Sequence, residues 1–308
     1  MLQEFRPDVR EVTTTMAEFG LGDVEEVTML GGWTNTNCHV VSERGPHLLK
    51  LYSGRSLEEL QLGFEVAERL ERHQFPSAPP LLTTGGDPIL PVGSRFAMVY
   101  DFLPGQTPTP SAVVAEQIGR ALAKLHRIEP PEKLGPFSWS VSAIRVLQRS
   151  EATRFPGHPF FQWLTEAEEL TRLPPGEALP RGLVHADLFP DNTLFENGEL
   201  VAILDFEEVC CDELLIDLSM AMVGFCWDGN NRRRDGWISA LLDGYRDLRE
   251  LTIQERQRVN HYVGFAALSV AAWRFLQFNS RYPHLGLTDR YQEMVERADA
   301  CRSDPIVL

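Results

Sequence analysis

The chain has 308 residues, 43% of them hydrophobic and 24% charged, which is a globular composition and not a disordered one. Its 29 basic and 44 acidic residues leave a net charge of −15, which argues against a grip on nucleic acid by bulk charge. The longest mostly apolar run, Tyr262 to Phe278, is interrupted by Arg274 and falls short of the ~20 apolar residues of a membrane helix; with no apolar signal core in its first six residues, a cytoplasmic protein with no membrane partner is expected.

Taken in order, the first hundred residues read as short strands with one helix. Strands are expected over Glu26 to Leu30, Asn37 to Ser42 and His47 to Tyr52, with turns at Gly31-Gly32 and Arg44-Gly45-Pro46. Ser56 to His73 reads as a helix: Ser56 followed by Glu59 is a capping-box pattern, and Leu57, Leu60, Phe64, Ala67 and Leu70 share one face. Arg95 to Phe102 is a further strand. A Pro-rich break from Pro104 follows, and the chain then turns helical. Helices are expected over Ser111 to His126, Pro159 to Leu173, Glu213 to Gly224, Gly236 to Arg249, Thr252 to Phe278 and Thr288 to Cys301. Thr193 to Phe195 and Leu200 to Leu204 flank an Asn197-Gly198 hairpin turn. The fold class expected is α+β in two lobes. Residues 1–103 form a small antiparallel-sheet lobe, a hinge lies near 100–106, and residues 104–308 form a large, mostly helical lobe; a ligand is expected between them. Five cysteines with no Cys-x-x-Cys read as reduced thiols, not a disulfide scaffold.

The densest chemistry lies in Val184-His185-Ala186-Asp187-Leu188-Phe189-Pro190-Asp191-Asn192, then in Ile203-Leu204-Asp205-Phe206-Glu207. An Asp, an Asn five residues on and an Asp after a hairpin bring together three oxygen-bearing side chains. Mg²⁺ prefers such hard donors and keeps waters and phosphate oxygens beside them. The protein-kinase template divides the labour in this way: one Asp takes the hydroxyl proton, and the Asn and the Asp of a D-F-x turn hold the metal. On that template Asp187 is the catalytic base and Asn192 and Asp205 are the metal ligands. Glu207 stands where a protein kinase has Gly, so an ordinary protein kinase is not expected. A helix cap or Asx turn is the plain alternative for an isolated Asp–Asn pair. His185 and Asp187 as a metallohydrolase pair would need further His or Cys ligands nearby, and none is clustered.

Only three basic residues are lysines, and Lys50 lies within an apolar strand, where an ammonium needs a partner or a ligand. The same template gives it the phosphates of ATP and a helix carboxylate, Glu65 first and Glu58 second. The alternative is an edge lysine that reaches water. Gly32, Thr34 and Asn35, in Gly31-Gly32-Trp33-Thr34-Asn35-Thr36-Asn37, stand where a phosphate-covering hairpin belongs. No Walker motif, G-x-S-x-G or G-x-G-x-x-G occurs.

At these residues the chain resembles the aminoglycoside phosphotransferase and choline kinase superfamily. Gly119-Arg120-Ala121-Leu122-Ala123-Lys124-Leu125-His126 is similar to that family's G-x-x-L-A-x-L-H helix. Within the superfamily it resembles type II homoserine kinases. Gly32-Trp33-Thr34-Asn35-Thr36-Asn37, His185-Ala186-Asp187-Leu188-Phe189 with Asp191-Asn192, the Asp205-Phe206 segment and Ala272-Trp273-Arg274-Phe275 carry that likeness, which runs from about Glu26 to Arg281. The resemblance implies a two-lobed protein-kinase-like fold, ATP and Mg²⁺ as cofactors, and a small-molecule hydroxyl acceptor, with homoserine leading. It implies that Asp217 braces the catalytic loop, and that the strand running through Asp101 to Leu103 holds adenine. The chain departs from the family pattern at Pro190, where Arg is usual, and at Val223-Gly224, where Asn-Asp is usual near the acceptor.

Arg274, in an apolar helix, either pairs with an internal acid or binds an acceptor carboxylate. Trp227 and Trp273 either pack in the core or line an acceptor pocket, as a cage for a quaternary amine would. The competing acceptors are an aminoglycoside, choline or ethanolamine, or another amino alcohol or sugar. The competing class is a nucleotide-binding pseudokinase scaffold.

Overall fold

Strict alternation marks the second strand of the first sheet. In β2 (Thr36–Ser42) buried and half-buried residues alternate along the whole strand. It pairs antiparallel with β1 (Val24–Leu30) and with β3 (Gly45–Tyr52), and β3 pairs with β5 (Arg95–Asp101), which carries the edge strand β4 (Leu90–Val92). The computed structural model describes residues 7–30, 35–172 and 177–307. The expected loop residues Gly32 and Thr34 lie outside them.

Register decides which side chain meets which core. Cys38 is opposite Leu49, Leu49 opposite Val99, and Leu51 opposite Ala97. These residues share one face with Val40 and pack against Val12, Met16 and Phe19 of α1 (Val9–Glu18) and its C-terminal cap. Lys50 is opposite Met98, on the other face. There Tyr52 and Met98 pack with Leu60 of α2 (Leu57–Arg72), which starts on the expected Ser56–Glu59 capping box. Lys50 is thus the cation on the α2 face of an otherwise apolar strand.

The chain divides into two compact units, Met1–Gln106 with Pro131–Lys133 and Val201–Leu204, and the remainder. The second is mainly helical: α3 (Ala112–Leu125), α4 (Val141–Arg154), α5 (Pro159–Glu166), α6 (Leu214–Phe225), α7 (Asp235–Arg246), α8 (Ile253–Phe275) and α9 (Gln292–Ser303). Every residue of α6 is buried, so α6 is the axis of this unit. A two-stranded sheet of β6 (Arg181–Val184) and β9 (Cys210–Glu213) leads into it. β7 (Thr193–Glu196) and β8 (Glu199–Ile203) form the expected hairpin, with Asn197 and Gly198 both left-handed at φ 52° and 85°.

Two expected helices end early. The one begun at Pro159 stops at Glu166 and continues as a 3-10 turn, Glu168–Thr171. The one through Phe278 leaves the α-helix after Phe275 for a π-helical stretch, Leu276–Arg281. Helices α3 and α7 pack backbone to backbone. A Cβ at Gly119 would lie 1.9 Å from the Leu241 carbonyl oxygen, and one at Gly244 would lie 1.9 Å from that of Glu116. Gly119→Ala must push the two helices apart. It is expected to cost about 1–3 kcal/mol, read as a lower Tm; an unchanged Tm would contradict this packing.

Candidate active site

The loop after β6 is held in an unusual backbone state. Ala186 is left-handed at φ 69°, and so is Asp205 at φ 62°. For a residue with a Cβ this conformation costs about 1–2 kcal/mol, so it persists only where other bonds enforce it. For Ala186 the enforcement is Asp217 of α6. Its Oδ1 accepts from the Ala186 N–H at 3.0 Å and its Oδ2 from the His185 N–H at 2.9 Å. His126, the C-cap of α3, adds its Nε2 at 3.2 Å from Oδ2. Burial alone would raise this carboxyl's pKa, but the hydrogen bond from His126 and the bonds from the loop hold it below the usual carboxylate range. The bracing that the resemblance implied for Asp217 is present.

Asp187 follows directly and is fixed by its neighbours. Asn192 Nδ2 donates to the Asp187 backbone oxygen at 2.7 Å and to its Oδ2 at 2.9 Å. The Asp187 N–H donates to His185 Nδ1 at 3.2 Å, and the His185 ring packs edge-on to Phe206 at 4.6 Å. His185 therefore serves the loop itself, as its sequence context suggested. Burial, then the negative charges of Asp205 and Asp191, push the Asp187 carboxyl up to about 8; the Asn192 bond opposes this.

That electrostatic crowding fits a cation. Asn192 spends its amide N–H groups on Asp187, which leaves its carbonyl oxygen as a donor to a metal. Asn192 and Asp205 could supply oxygen donors of the kind Mg²⁺ uses with waters and phosphate oxygens. Among the described residues no three His, Cys, Asp or Glu side chains are grouped to hold a metal ion.

In the first unit, Lys50 is buried in β3, with its Nζ 5.5 Å from the centroid of the Tyr52 ring. Asn35 Oδ1 accepts from the Ser53 N–H at 3.4 Å, which ties the loop before β2 to the end of β3. Glu65 forms an ion pair with Arg69 of its own helix at 2.8 Å. Asp101 closes β5, exposed, with its carboxylate 4.0 Å from His47 Nε2, and Leu103 is half-buried just beyond.

Three acceptor candidates have partners within the protein, the first of the two alternatives their sequence context offered. Arg274 donates to Glu293 Oε2 at 2.6 Å and to the Arg290 carbonyl at 3.2 Å, so its anion is internal. Arg297 binds the other oxygen of Glu293, donates to Asn231 Oδ1 at 2.7 Å and to the Val223 carbonyl at 2.5 Å. The guanidinium of Arg297 also lies 5.4 Å from the centroid of the Trp227 ring, so the ring's cation is the protein's own. Trp273 packs edge-on to Phe278. This cluster ties α9 to the ends of α6 and α8. Arg274→Ala is therefore expected to lower Tm and leave the acceptor KM within about twofold, as for loss of a structural pair; a KM raised tenfold or more with Tm unchanged would restore the acceptor role.

Gly224 explains one departure from the resembled family. A Cβ there would meet the Leu188 carbonyl oxygen at 3.1 Å and Phe189 at 3.2 Å, so α6 lies directly against the loop that carries Asp187. A polar side chain at 224 would require the loop to shift.

Residues 26–252 match the family described as the phosphotransferase enzyme family. The chain belongs to this family. It is a small-molecule kinase, acting on a hydroxyl group. A homoserine kinase of Methylobacillus flagellatus is 28% identical over 261 residues, covering 83% of this chain and 80% of that protein. One from Gluconacetobacter diazotrophicus is 30% identical over 234 residues, 73% of each. Among solved structures, a microcompartment-associated aminopropanol kinase shares the fold with a TM-score of 0.75 at 19% identity, covering 96% of this chain and 98% of that one. A spectinomycin phosphotransferase in complex with ADP and spectinomycin does so at 0.73 and 17%, covering 97% and 99%.

Proposed function

We propose that the kinase transfers the γ-phosphoryl group of ATP to the side-chain hydroxyl of homoserine, with Mg²⁺ bound. The observation that carries this reading is the Asp187 carboxylate held by Asn192 beside Asp205, in a phosphotransferase family whose similar members include homoserine kinases. The acceptor oxygen bonds to the γ-phosphorus, the bond from that phosphorus to the β–γ bridging oxygen breaks, and ADP leaves. Asp187 orients the hydroxyl and takes its proton. Asn192 and Asp205 would hold Mg²⁺, which would neutralise charge on the phosphates.

Lys50, with Glu65 as its helix carboxylate, serves the phosphates; Gly32, Thr34 and Asn35 belong to the covering loop; Asp101 to Leu103 offer backbone to adenine. The protein's part is mainly positioning and charge neutralisation. A cytoplasmic location suits such a metabolic kinase, and no helix among the described residues is long and apolar enough to cross a membrane.

Val223-Gly224 and Pro190 favour a second reading, an amino alcohol lacking the carboxylate of homoserine, because the polar groups usual at those positions are missing. Release of ADP from Mg-ATP across homoserine, serine, aminopropanol, ethanolamine, choline, aminoglycosides and simple sugars separates the two. The highest kcat/KM with homoserine supports the first reading. A preference for an amino alcohol replaces it with the second. ATP binding without turnover of any acceptor favours a scaffold.

A further inference from the structure

The bracing of the catalytic loop does not end at His126. Tyr245, near the end of α7, is fully buried, and its hydroxyl stands 2.6 Å from His126 Nδ1 and 3.1 Å from Arg249 Nη1. Arg249 is paired at 2.8 Å with Glu255, itself fully buried, whose other oxygen accepts from the Thr252 N–H at the start of α8. A buried polar chain thus runs from the α8 N-terminus through α7 and α3 to α6.

Its direction follows from donor chemistry. A guanidinium only donates, so the Tyr245 oxygen accepts from Arg249. The hydroxyl proton is then free to point at His126 Nδ1, which must be unprotonated to accept it. The ring proton consequently sits on Nε2, facing Asp217, a carboxylate that only accepts. With a proton on Nδ1 instead, the Tyr245 hydroxyl proton would have no acceptor among the described residues. Burial also holds the Tyr245 hydroxyl in its protonated form, above the usual phenol range. Every donor from Arg249 to Asp217 faces the same way.

We propose that Tyr245 is a positioning residue: its hydroxyl, set by the Arg249–Glu255 pair, fixes the His126 tautomer that completes Asp217, and Asp217 holds the left-handed Ala186 turn that presents Asp187. Tyr245 touches neither substrate nor the reacting atoms in this scheme. Its effect passes through two side chains, His126 and Asp217, to the backbone before the base. The kinetic part of the proposal rests on the phosphotransfer reading above; the placement of the protons does not.

Tyr245→Phe keeps the ring and removes the one group concerned. It is expected to lower kcat about threefold to tenfold, the range of a single lost hydrogen bond, with KM for ATP and acceptor unchanged. Nitrogen-15 spectra of the imidazoles are expected to show His126 as the Nε2–H tautomer in the wild type and as a mixture in the variant. Exchange of the Ala186 amide is expected to quicken in the variant. A lower Tm with kcat, the His126 signals and Ala186 exchange all unchanged would overturn the proposal and leave Tyr245 as packing alone. So would a wild-type His126 protonated on Nδ1, a result that needs no variant. If the wild type turns over no acceptor, the phosphotransfer reading fails, while the tautomer and the exchange rates still decide the role of Tyr245.

Discussion

Asp187→Ala is expected to lower kcat by at least about 10²-fold, the low end of a general-base contribution, while KM for ATP stays near its wild-type value. The expectation rests on where the loop spends its hydrogen bonds. Asn192 holds both the backbone oxygen and the carboxylate of Asp187, and His185 holds its N–H. So fixed a carboxylate fits a group that must meet a hydroxyl in one geometry. Asp187→Asn keeps the shape and removes the base, and is expected to lose as much. Either variant turning over at a near-wild-type rate in steady-state assays would remove Asp187 from the role. A raised KM with kcat unchanged would make it a binding residue instead.

Asp217→Ala is expected to be the most destabilising single change in the second unit, by about 3–5 kcal/mol, read by denaturant or thermal unfolding. The carboxylate has no exposure, and its loss strands three donors, the N–H groups of His185 and Ala186 and the His126 Nε2. Each buried donor left without a partner costs about 1–3 kcal/mol. Asp217→Asn is not a rescue, because its amide N–H₂ would face donors. Activity should fall in the protein that remains folded, since the Asp217 carboxylate accepts from the N–H groups of both His185 and Ala186 at the left-handed turn. A variant with wild-type Tm and kcat would show that the loop is fixed by other contacts.

Much of this architecture was legible before any coordinates. The turn signals at Gly31-Gly32 and Arg44-Gly45-Pro46 marked off β2 and β3, the Ser56–Glu59 pair announced the start of α2, and Asn197-Gly198 announced the hairpin. Each is a local signal with a local cause. What stayed hidden depends on distant partners. Helix α1 is rich in Thr and Val, poor helix formers, and forms with Val12, Thr15 and Met16 buried against the sheet core. Strand β9, Cys210–Glu213, has no aliphatic alternation and exists through β6, whose residues lie about thirty positions earlier.

The site divides in the same way. The spacing of Asp187, Asn192 and Asp205 could be read from the chain, because one loop and one hairpin bring them together. Arg274 could not be placed from its apolar context alone. That context asked for an anion, and Glu293, nineteen residues on, supplies it. Tyr245 left no local trace either. It sits on a helix whose stripe of apolar residues reads as core, and its partner His126 is 119 residues away.

The most direct measurement is phosphorus-31 NMR of the wild type and Asp187→Ala, each incubated with Mg-ATP and homoserine. The account predicts that in the wild type the γ-phosphate signal disappears while a phosphomonoester signal grows in step with ADP, and that the variant leaves ATP intact on the same timescale. Inorganic phosphate appearing in place of the monoester would make the protein a nucleotidase toward this acceptor, and an equal monoester yield from Asp187→Ala would contradict the assignment of the base.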